Sequence, residues 1–284
     1  MTAVQTSARV ALSGGKAAHL ARVRRTERKV GPVLKRGLAG LAADIPKATW
    51  VQAAATGIVP ADIMRAVQRR LLELGEQLVQ LLLLGTLQEG FAFAIAEAGP
   101  GDLARRGIGE LIRGLEGEAL HAIRLQVKLI ADAGISDDAV RVIGQATGLT
   151  QQQLRSVATV RDAALRKALA DGVAPYAAIY RAERAAQQVH DRLLDYRSRL
   201  IARTESTRLT NEVIHARGEE LQAAGAHVEH QWLSVRGDEA TCRICRANDD
   251  GKPRPLQLPF ESGHYAPPAH PGCRCLEEIL VEER

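Results

Sequence analysis

Residues 176–224 constrain the fold most, because they contain no proline and only one glycine, Gly218. Pro175 fits an early helical position and Gly225 is a natural stop, so the segment between them is predicted to be α-helical. It is long enough for one helix of about fifty residues or for two consecutive helices. A run of this length predicts an elongated rather than a compact protein.

The composition favours a mostly helical chain. Hydrophobic residues make up 46% of the 284 residues, but aromatic residues make up only 3%. Alanine and leucine supply most of the apolar side chains, and they enter helices readily, whereas sheets usually contain more β-branched and aromatic residues. Apolar residues recur at helical spacing over residues 61–98, and a second helical pattern covers residues 102–133. Thr150 and Gln153 form a capping-box pattern before a further helix.

The character of the sequence changes after residue 225. The segment HVEHQWLSV alternates on one face like a strand, and LEEILV near the end is predicted to be a closing strand. We therefore divide the chain into a basic N-terminal arm (1–60), a helical region (61–135), a helical lead-in with the long helix (136–225) and a small α+β module (226–284).

The net charge is +5, and it is unevenly distributed. Residues 1–50 contain ten Lys or Arg side chains against two acidic ones. This arm is predicted to make weak, sequence-independent contacts with DNA phosphates, and the alternative is a solvated, poorly ordered terminus. No aromatic residues interleave the basic ones, so base stacking is not expected. The candidate DNA contacts are Arg22, Arg24, Arg25, Arg28 and Lys29.

The most apolar run of the chain, residues 78–99, raises the question of a membrane span. Gln80, Gln88, Glu89 and Glu97 interrupt it, so a buried helix or helical hairpin is the better prediction. The N-terminus lacks the pattern of a signal peptide. We therefore expect no stable membrane insertion.

The only four cysteines of the chain are Cys242, Cys245, Cys273 and Cys275, and His270 lies among them. Disulfides need an oxidising compartment, for which nothing in the sequence argues, whereas a Cys-x-x-Cys turn and a second thiol pair fit a tetrahedral structural zinc site. The ligands would be all four cysteines, or three of them with His270, and the alternative is that the thiols bind no metal. Zinc would staple a segment too short and too rich in proline and glycine to build its own core.

These residues occur in a fixed order that resembles one family. The matching positions are Arg203, Thr204, Glu205, Trp232, Asp238, Cys242, Cys245, Pro267, Pro268, His270, Pro271, Cys273, Arg274 and Cys275. Roughly residues 140–280 resemble the C-terminal domain of the phage Mu protein F-like minor head proteins, also called head morphogenesis proteins.

The resemblance implies a minor capsid component that acts with the portal protein during procapsid assembly. Such a protein would reside in the virion, in the capsid interior or at the portal vertex, and in the host cytoplasm during assembly. Major capsid or scaffold protein and packaged DNA, through the N-terminal arm, are further expected partners. The resemblance implies no catalytic activity, so we do not expect an enzyme.

The sequence also offers residues that could brace the zinc loop. Arg203 and Glu205 would do so through Arg274 or Asp238, with Trp232 as a further matching position. The alternative is that Glu205 takes part in ordinary ion pairs on one helix face with Arg208 and Glu212.

Two other classes of protein compete with the virion protein. A zinc-containing nuclease of the His-Asn-His type would use His264 or His270 and Asn248, but the proline-rich surroundings of both histidines argue against it. A zinc-stapled DNA-binding protein would need basic or aromatic readout residues on the module, whose C-terminal end is acidic instead.

Overall fold

The computed structural model describes residues 9–11, 15–87, 100–133, 148–235 and 241–282. It is mostly helical with a small C-terminal region of strands, as the composition predicts. The helices are α1 (Gly15–Ala39), α2 (Lys47–Thr56), α3 (Ala61–Leu87), α4 (Pro100–Ala133), α5 (Gln151–Ala170), α6 (Pro175–Ala223) and α7 (Arg243–Asn248). The strands are β1 (Arg9–Ala11), β2 (Val228–Leu233), β3 (Arg254–Pro255) and β4 (Leu276–Glu282).

The long proline-free segment is a single helix, α6, of 49 residues. The chain leaves it through Gly225, whose φ of 90° is in the left-handed region that glycine adopts at little cost. Gly218 lies within the helix at a position with little space for a side chain. A Cβ there would lie 3.0 Å from Ile279 Cδ1 and 3.2 Å from Leu256 Cδ2. The missing side chain therefore lets β4 approach the helix closely.

The strands form one four-stranded antiparallel sheet in the order β1-β4-β2-β3. Strands β2 and β4 are the two that the alternating patterns predict. They pair along their lengths, with Val228 opposite Val281 and Leu233 opposite Leu276. Apolar side chains from this pair pack with Ile214 of α6 and with Leu256, which follows β3, into a cluster that also contains Val228, Leu276 and Ile279.

The described residues of the predicted basic arm (1–60) form helices and one short strand. Residues 15–39 form the 25-residue helix α1, which contains Pro32, and Arg9–Ala11 pair with β4 as an edge strand. Helix α1 forms because Val23, Val30, Leu34 and Leu38 recur at helical spacing and are buried. The sequence analysis predicts a basic arm here because lysines and arginines dominate the segment and make the helical spacing of these apolar residues hard to recognise.

The chain divides into two compact units. The first comprises residues 1–31, 78–108 and 199–284 and contains the sheet and the cysteines. The second comprises residues 32–77 and 109–198. Within the second unit, Arg197 is buried, donates to the carbonyl of Gly148 at 3.0 Å and forms an ion pair with Glu118.

Two of the predicted helices agree closely with the structure. Thr150 and Gln153 form the predicted capping box of α5, and α4 covers the predicted segment 102–133. Residues 88–99 of the apolar run lie outside the described residues. Within the described ranges, no helix combines the length and apolar character needed to span a bilayer.

Candidate metal centre

The four cysteines and His270 come together at the end of the sheet. Cys242 is the N-cap residue of α7, and its Sγ accepts a hydrogen bond from the backbone N–H of Cys245 at 3.3 Å. Cys273 and Cys275 immediately precede β4. A short helix and the start of a strand therefore present two pairs of thiols to each other.

The sulfur and nitrogen atoms of these residues lie at ligand spacing. His270 Nε2 is 3.1 Å from Cys242 Sγ and 3.2 Å from Cys245 Sγ, and Cys245 Sγ is 3.7 Å from Cys273 Sγ. The atoms form two groups of three, Cys242–Cys245–His270 and Cys245–Cys273–Cys275, which share Cys245. Each group is compact enough to hold a metal ion.

His270 is oriented as a metal ligand. Its Nδ1 lies 2.9 Å from the carbonyl oxygen of Pro271, which can only accept, so Nδ1 carries the hydrogen. The lone pair of the neutral ring is then on Nε2, the atom that faces Cys242 and Cys245. Metal-ligating histidines are commonly fixed in this way through their second nitrogen.

The electrostatics of the buried thiols also favour a cation. The thiols of Cys245 and Cys275 hydrogen-bond to the sulfur of Cys273 and lower the pKa of Cys273 to about 2. The same interactions raise the pKa of Cys245, while the pKa of Cys275 rises to about 12. One thiolate is therefore stabilised by its neighbours, and a bound cation would favour the ionisation of the others.

One face of α6 holds the cysteine loop in place. Thr204 Oγ1 accepts from the backbone N–H of Gly272 at 2.8 Å, and Thr207 Oγ1 donates to the carbonyl of Cys273 at 2.9 Å. Asn211 Nδ2 donates to the carbonyl of Cys275 at 3.1 Å. Three polar side chains at helical spacing therefore fix the backbone of the loop that carries the ligands.

The predicted bracing residues occupy different positions around this site. Trp232 is buried with Phe260 against Cys245, Cys273 and Cys275, and its ring meets Phe260 edge-on at 5.1 Å between centroids. Arg203 and Arg274 line the cleft beside the cysteines. Asp238 lies outside the described residues.

The ionic partner of Arg203 is Glu27 of helix α1. Arg203 Nη2 is 2.9 Å from Glu27 Oε1 and its Nε is 3.2 Å from Glu27 Oε2. Burial and the nearby Arg203 charge lower the pKa of Arg274, so these two arginines repel each other rather than form a bracing pair. Glu205 is buried and forms an ion pair with Arg208 on the same helix at 3.5 Å.

The candidate DNA contacts differ in exposure. Arg24, Arg25, Arg28 and Lys29 are exposed on α1, whereas Arg22 is 5% exposed. Arg22 is buried because its position on the helix falls on the apolar side, next to Val23. Four of the five predicted basic residues therefore share an accessible surface.

The residues named for the nuclease alternative make contacts within the module. Asn248 is buried and bonds to Ser262 through its side-chain oxygen and nitrogen, while His264 Nδ1 lies 3.0 Å from Ser262 Oγ. His270 faces the thiols. The two hydrogen bonds between Asn248 and Ser262 connect α7 to the irregular segment after β3.

Sequence reasoning missed several residues of this site. Thr207, Asn211, Glu27 and His19 were not singled out, although Thr204 was among the family positions. Polar residues at positions 204, 207 and 211 share one face of the long helix, and this pattern could have indicated a buried polar contact. The sequence does not show which backbone groups these side chains bind. His19 is buried beside Arg22, Cys273 and the backbone of Arg274, a proximity that no spacing along the chain reveals.

The fold and site together define a helical protein whose C-terminal module contains a cysteine–histidine cluster able to hold a metal ion. Residues 158–277 match the model of the family described as Phage Mu protein F like protein. The match confirms the predicted resemblance for this part of the chain and indicates a phage head-morphogenesis or capsid-related protein. No curated protein and no solved structure matches the chain.

Proposed function

We propose that this protein is a minor capsid protein of a bacteriophage or prophage that associates with the portal during procapsid assembly and lies near packaged DNA. The match of residues 158–277 to the Mu protein F-like family carries the proposal. All five candidate metal ligands lie in this segment. The protein would act in the virion, at the portal vertex or in the capsid interior, as a structural component and not as an enzyme.

We further propose that the metal is zinc and that its ligands are Cys242, Cys245, His270 and Cys273. Thiolates about 2.3 Å from a tetrahedral zinc are about 3.8 Å apart. The 3.7 Å between Cys245 Sγ and Cys273 Sγ agrees with that spacing. A closed four-ligand zinc would contribute folding energy to the module and leave no position for catalysis.

Composition of the phage head tests the functional proposal. Heads are purified from cells that express the head genes with a tagged full-length chain, and their proteins are quantified by mass spectrometry. We expect the chain to be present at a fixed ratio to the portal, and the isolated portal to capture it from solution. Its absence from heads that contain normal amounts of portal would reject the proposal.

A nuclease assay separates the proposed function from the strongest enzymatic alternative. Zinc-loaded protein is incubated with phage DNA and magnesium, in parallel with the His264→Ala variant. His264 is exposed and lies outside the proposed zinc ligands, so its removal leaves the metal centre in place. DNA cleavage by the wild-type protein that disappears in the variant would support the nuclease instead.

A further inference from the structure

We propose that His215, His230 and Glu277 form a second metal site, which takes a divalent first-row transition metal through two nitrogens and one carboxylate. His215 is on α6, His230 is on β2 and Glu277 is on β4. None of them is a ligand of the cysteine cluster.

The three side chains converge on one buried point. Nδ1 of His215 and Nδ1 of His230 both lie 2.8 Å from the same oxygen, Oε1 of Glu277. His230 and Glu277 are fully buried, and the side chain of His215 is 20% exposed. A carboxylate in this environment is costly unless a positive charge compensates it.

The hydrogen bonds of His230 show why a cation is needed. Its Nε2 lies 3.0 Å from the carbonyl oxygen of Leu258, which only accepts, so Nε2 carries the ring hydrogen. The Nδ1 lone pair of the neutral ring then faces an oxygen lone pair of Glu277 at 2.8 Å. Two acceptors at this distance repel each other unless a proton or a metal ion lies between them.

Two further features favour a metal. Oε2 of Glu277 is buried and has no hydrogen-bond partner among the described residues, so this carboxylate is incompletely satisfied. A second carboxylate, Glu219, lies 4.0 Å from His215 Nε2 and adds negative charge.

The spacing also suits metal coordination. Adjacent ligands about 2.1 Å from a six-coordinate metal are about 3.0 Å apart. The two nitrogen–oxygen distances of 2.8 Å would therefore need to increase only slightly for the three atoms to bind one metal ion. Two histidines and one carboxylate on one side of a metal leave other coordination positions open. Water would reach them past His215, the partly exposed member.

The same helix supports this site and the cysteine loop. Asn211 Oδ1 accepts from the backbone N–H of Glu277 at 2.7 Å, while its Nδ2 donates to the carbonyl of Cys275. Positions 204, 207, 211 and 215 therefore form one continuous stripe on α6. Its first three residues position the cysteine loop, and the fourth is a proposed ligand of the second site.

Cobalt titration of the metal-stripped, reduced full-length protein tests the inference. We expect two equivalents of Co²⁺ to bind, one with the intense thiolate-to-cobalt absorption of the cysteine cluster and one with only weak d–d bands. The His215→Gln variant is expected to lose the second equivalent and retain the thiolate absorption. That retained signal also reports that the module is folded. The matched control is His121→Gln, the same change at an exposed helical histidine, and it should retain both.

The wild-type titration decides the proposal even if a variant fails to fold. One equivalent of Co²⁺, all of it with thiolate absorption, would mean that the histidine–carboxylate cluster holds only a proton. Two equivalents in His215→Gln would also overturn the assignment. X-ray absorption of the zinc-saturated wild-type protein provides a separate measurement. Two sites should raise the ratio of nitrogen and oxygen to sulfur ligands above that of one Cys₃His site.

Discussion

His19 is buried, although it lies in the segment that the sequence predicts to be a basic arm. It is fully buried beside the cysteine loop, and burial, aided by the charge of Arg22, lowers its pKa to about 4. The folded protein therefore keeps this ring neutral at pH values where the unfolded chain, with a pKa of 6.5, binds a proton.

We expect this difference to make stability fall on acidification. Between pH 6.5 and pH 4 the unfolded state binds more protons at His19 than the folded state does, so protonation favours unfolding in this window. The contribution is on the order of 3 kcal/mol for the full shift. Denaturant titrations of wild type and His19→Gln at a series of pH values measure it. Equal pH slopes in the two proteins would contradict the assigned burial effect.

The choice of fourth ligand is also decided at single residues. Because His270 directs Nε2 at two thiols, we expect His270→Ala to lower zinc affinity at least tenfold more than Cys275→Ser. Competition with a chromogenic chelator measures both affinities. The reverse order would mean that all four cysteines bind the metal and that His270 lies outside the coordination shell.

At the scale of elements, α6 is the support on which the cysteine loop is built. Its polar stripe satisfies backbone groups of the loop, which is irregular and has few bonds of its own. Thr207 and Asn211 are fully buried, so each unmade hydrogen bond there would leave a buried polar group unsatisfied.

We expect Thr207→Val to destabilise the module by about 1–3 kcal/mol, because the carbonyl of Cys273 would lose its donor. Thr210→Val is the matched control. Thr210 is also buried on α6, but its hydroxyl donates to the backbone carbonyl of Ser206 in the same helix and not to the cysteine loop. Limited proteolysis of the zinc-loaded variants should show faster cleavage in the loop for the Thr207 variant alone. Equal cleavage rates would remove the anchoring role assigned to this hydroxyl.

The elements with strong periodic signals were predictable, and the contacts between distant segments were not. The long helix, strands β2 and β4 and the capping box of α5 follow from local patterns, as does the clustering of the cysteines. Strand β1 has three residues and is defined only by its pairing with β4. The ion pair between Glu27 and Arg203 joins positions 176 residues apart, so it depends on tertiary structure that no local pattern contains.

At the scale of the whole molecule, the exposed basic side chains of α1 form the surface that we expect to contact DNA. Arg24, Arg25, Arg28 and Lys29 are exposed on α1 and repeat at four-residue spacing, so they can meet phosphates together. Replacing all four with Gln should weaken binding to duplex DNA and reduce the salt dependence of log K by about 0.9 for each phosphate that the helix no longer neutralises.

The matched control for this experiment replaces four exposed arginines outside α1, namely Arg65, Arg69, Arg105 and Arg106, with Gln. Both variants change the net charge equally. Fluorescence anisotropy at several salt concentrations distinguishes them. If the control weakens DNA binding as much as the α1 variant does, overall charge rather than this helix face determines the affinity.

The central claim of this account is that a metal at the cysteine cluster holds the C-terminal module against α6. Hydrogen–deuterium exchange of the full-length, reduced protein before and after metal chelation tests it most directly. We predict that chelation increases exchange at the amides of Cys245, Gly272 and Cys273 and their neighbours, while the first half of α6 stays protected. Unchanged protection of residues 241–275 in protein verified to be metal-free would contradict the claim.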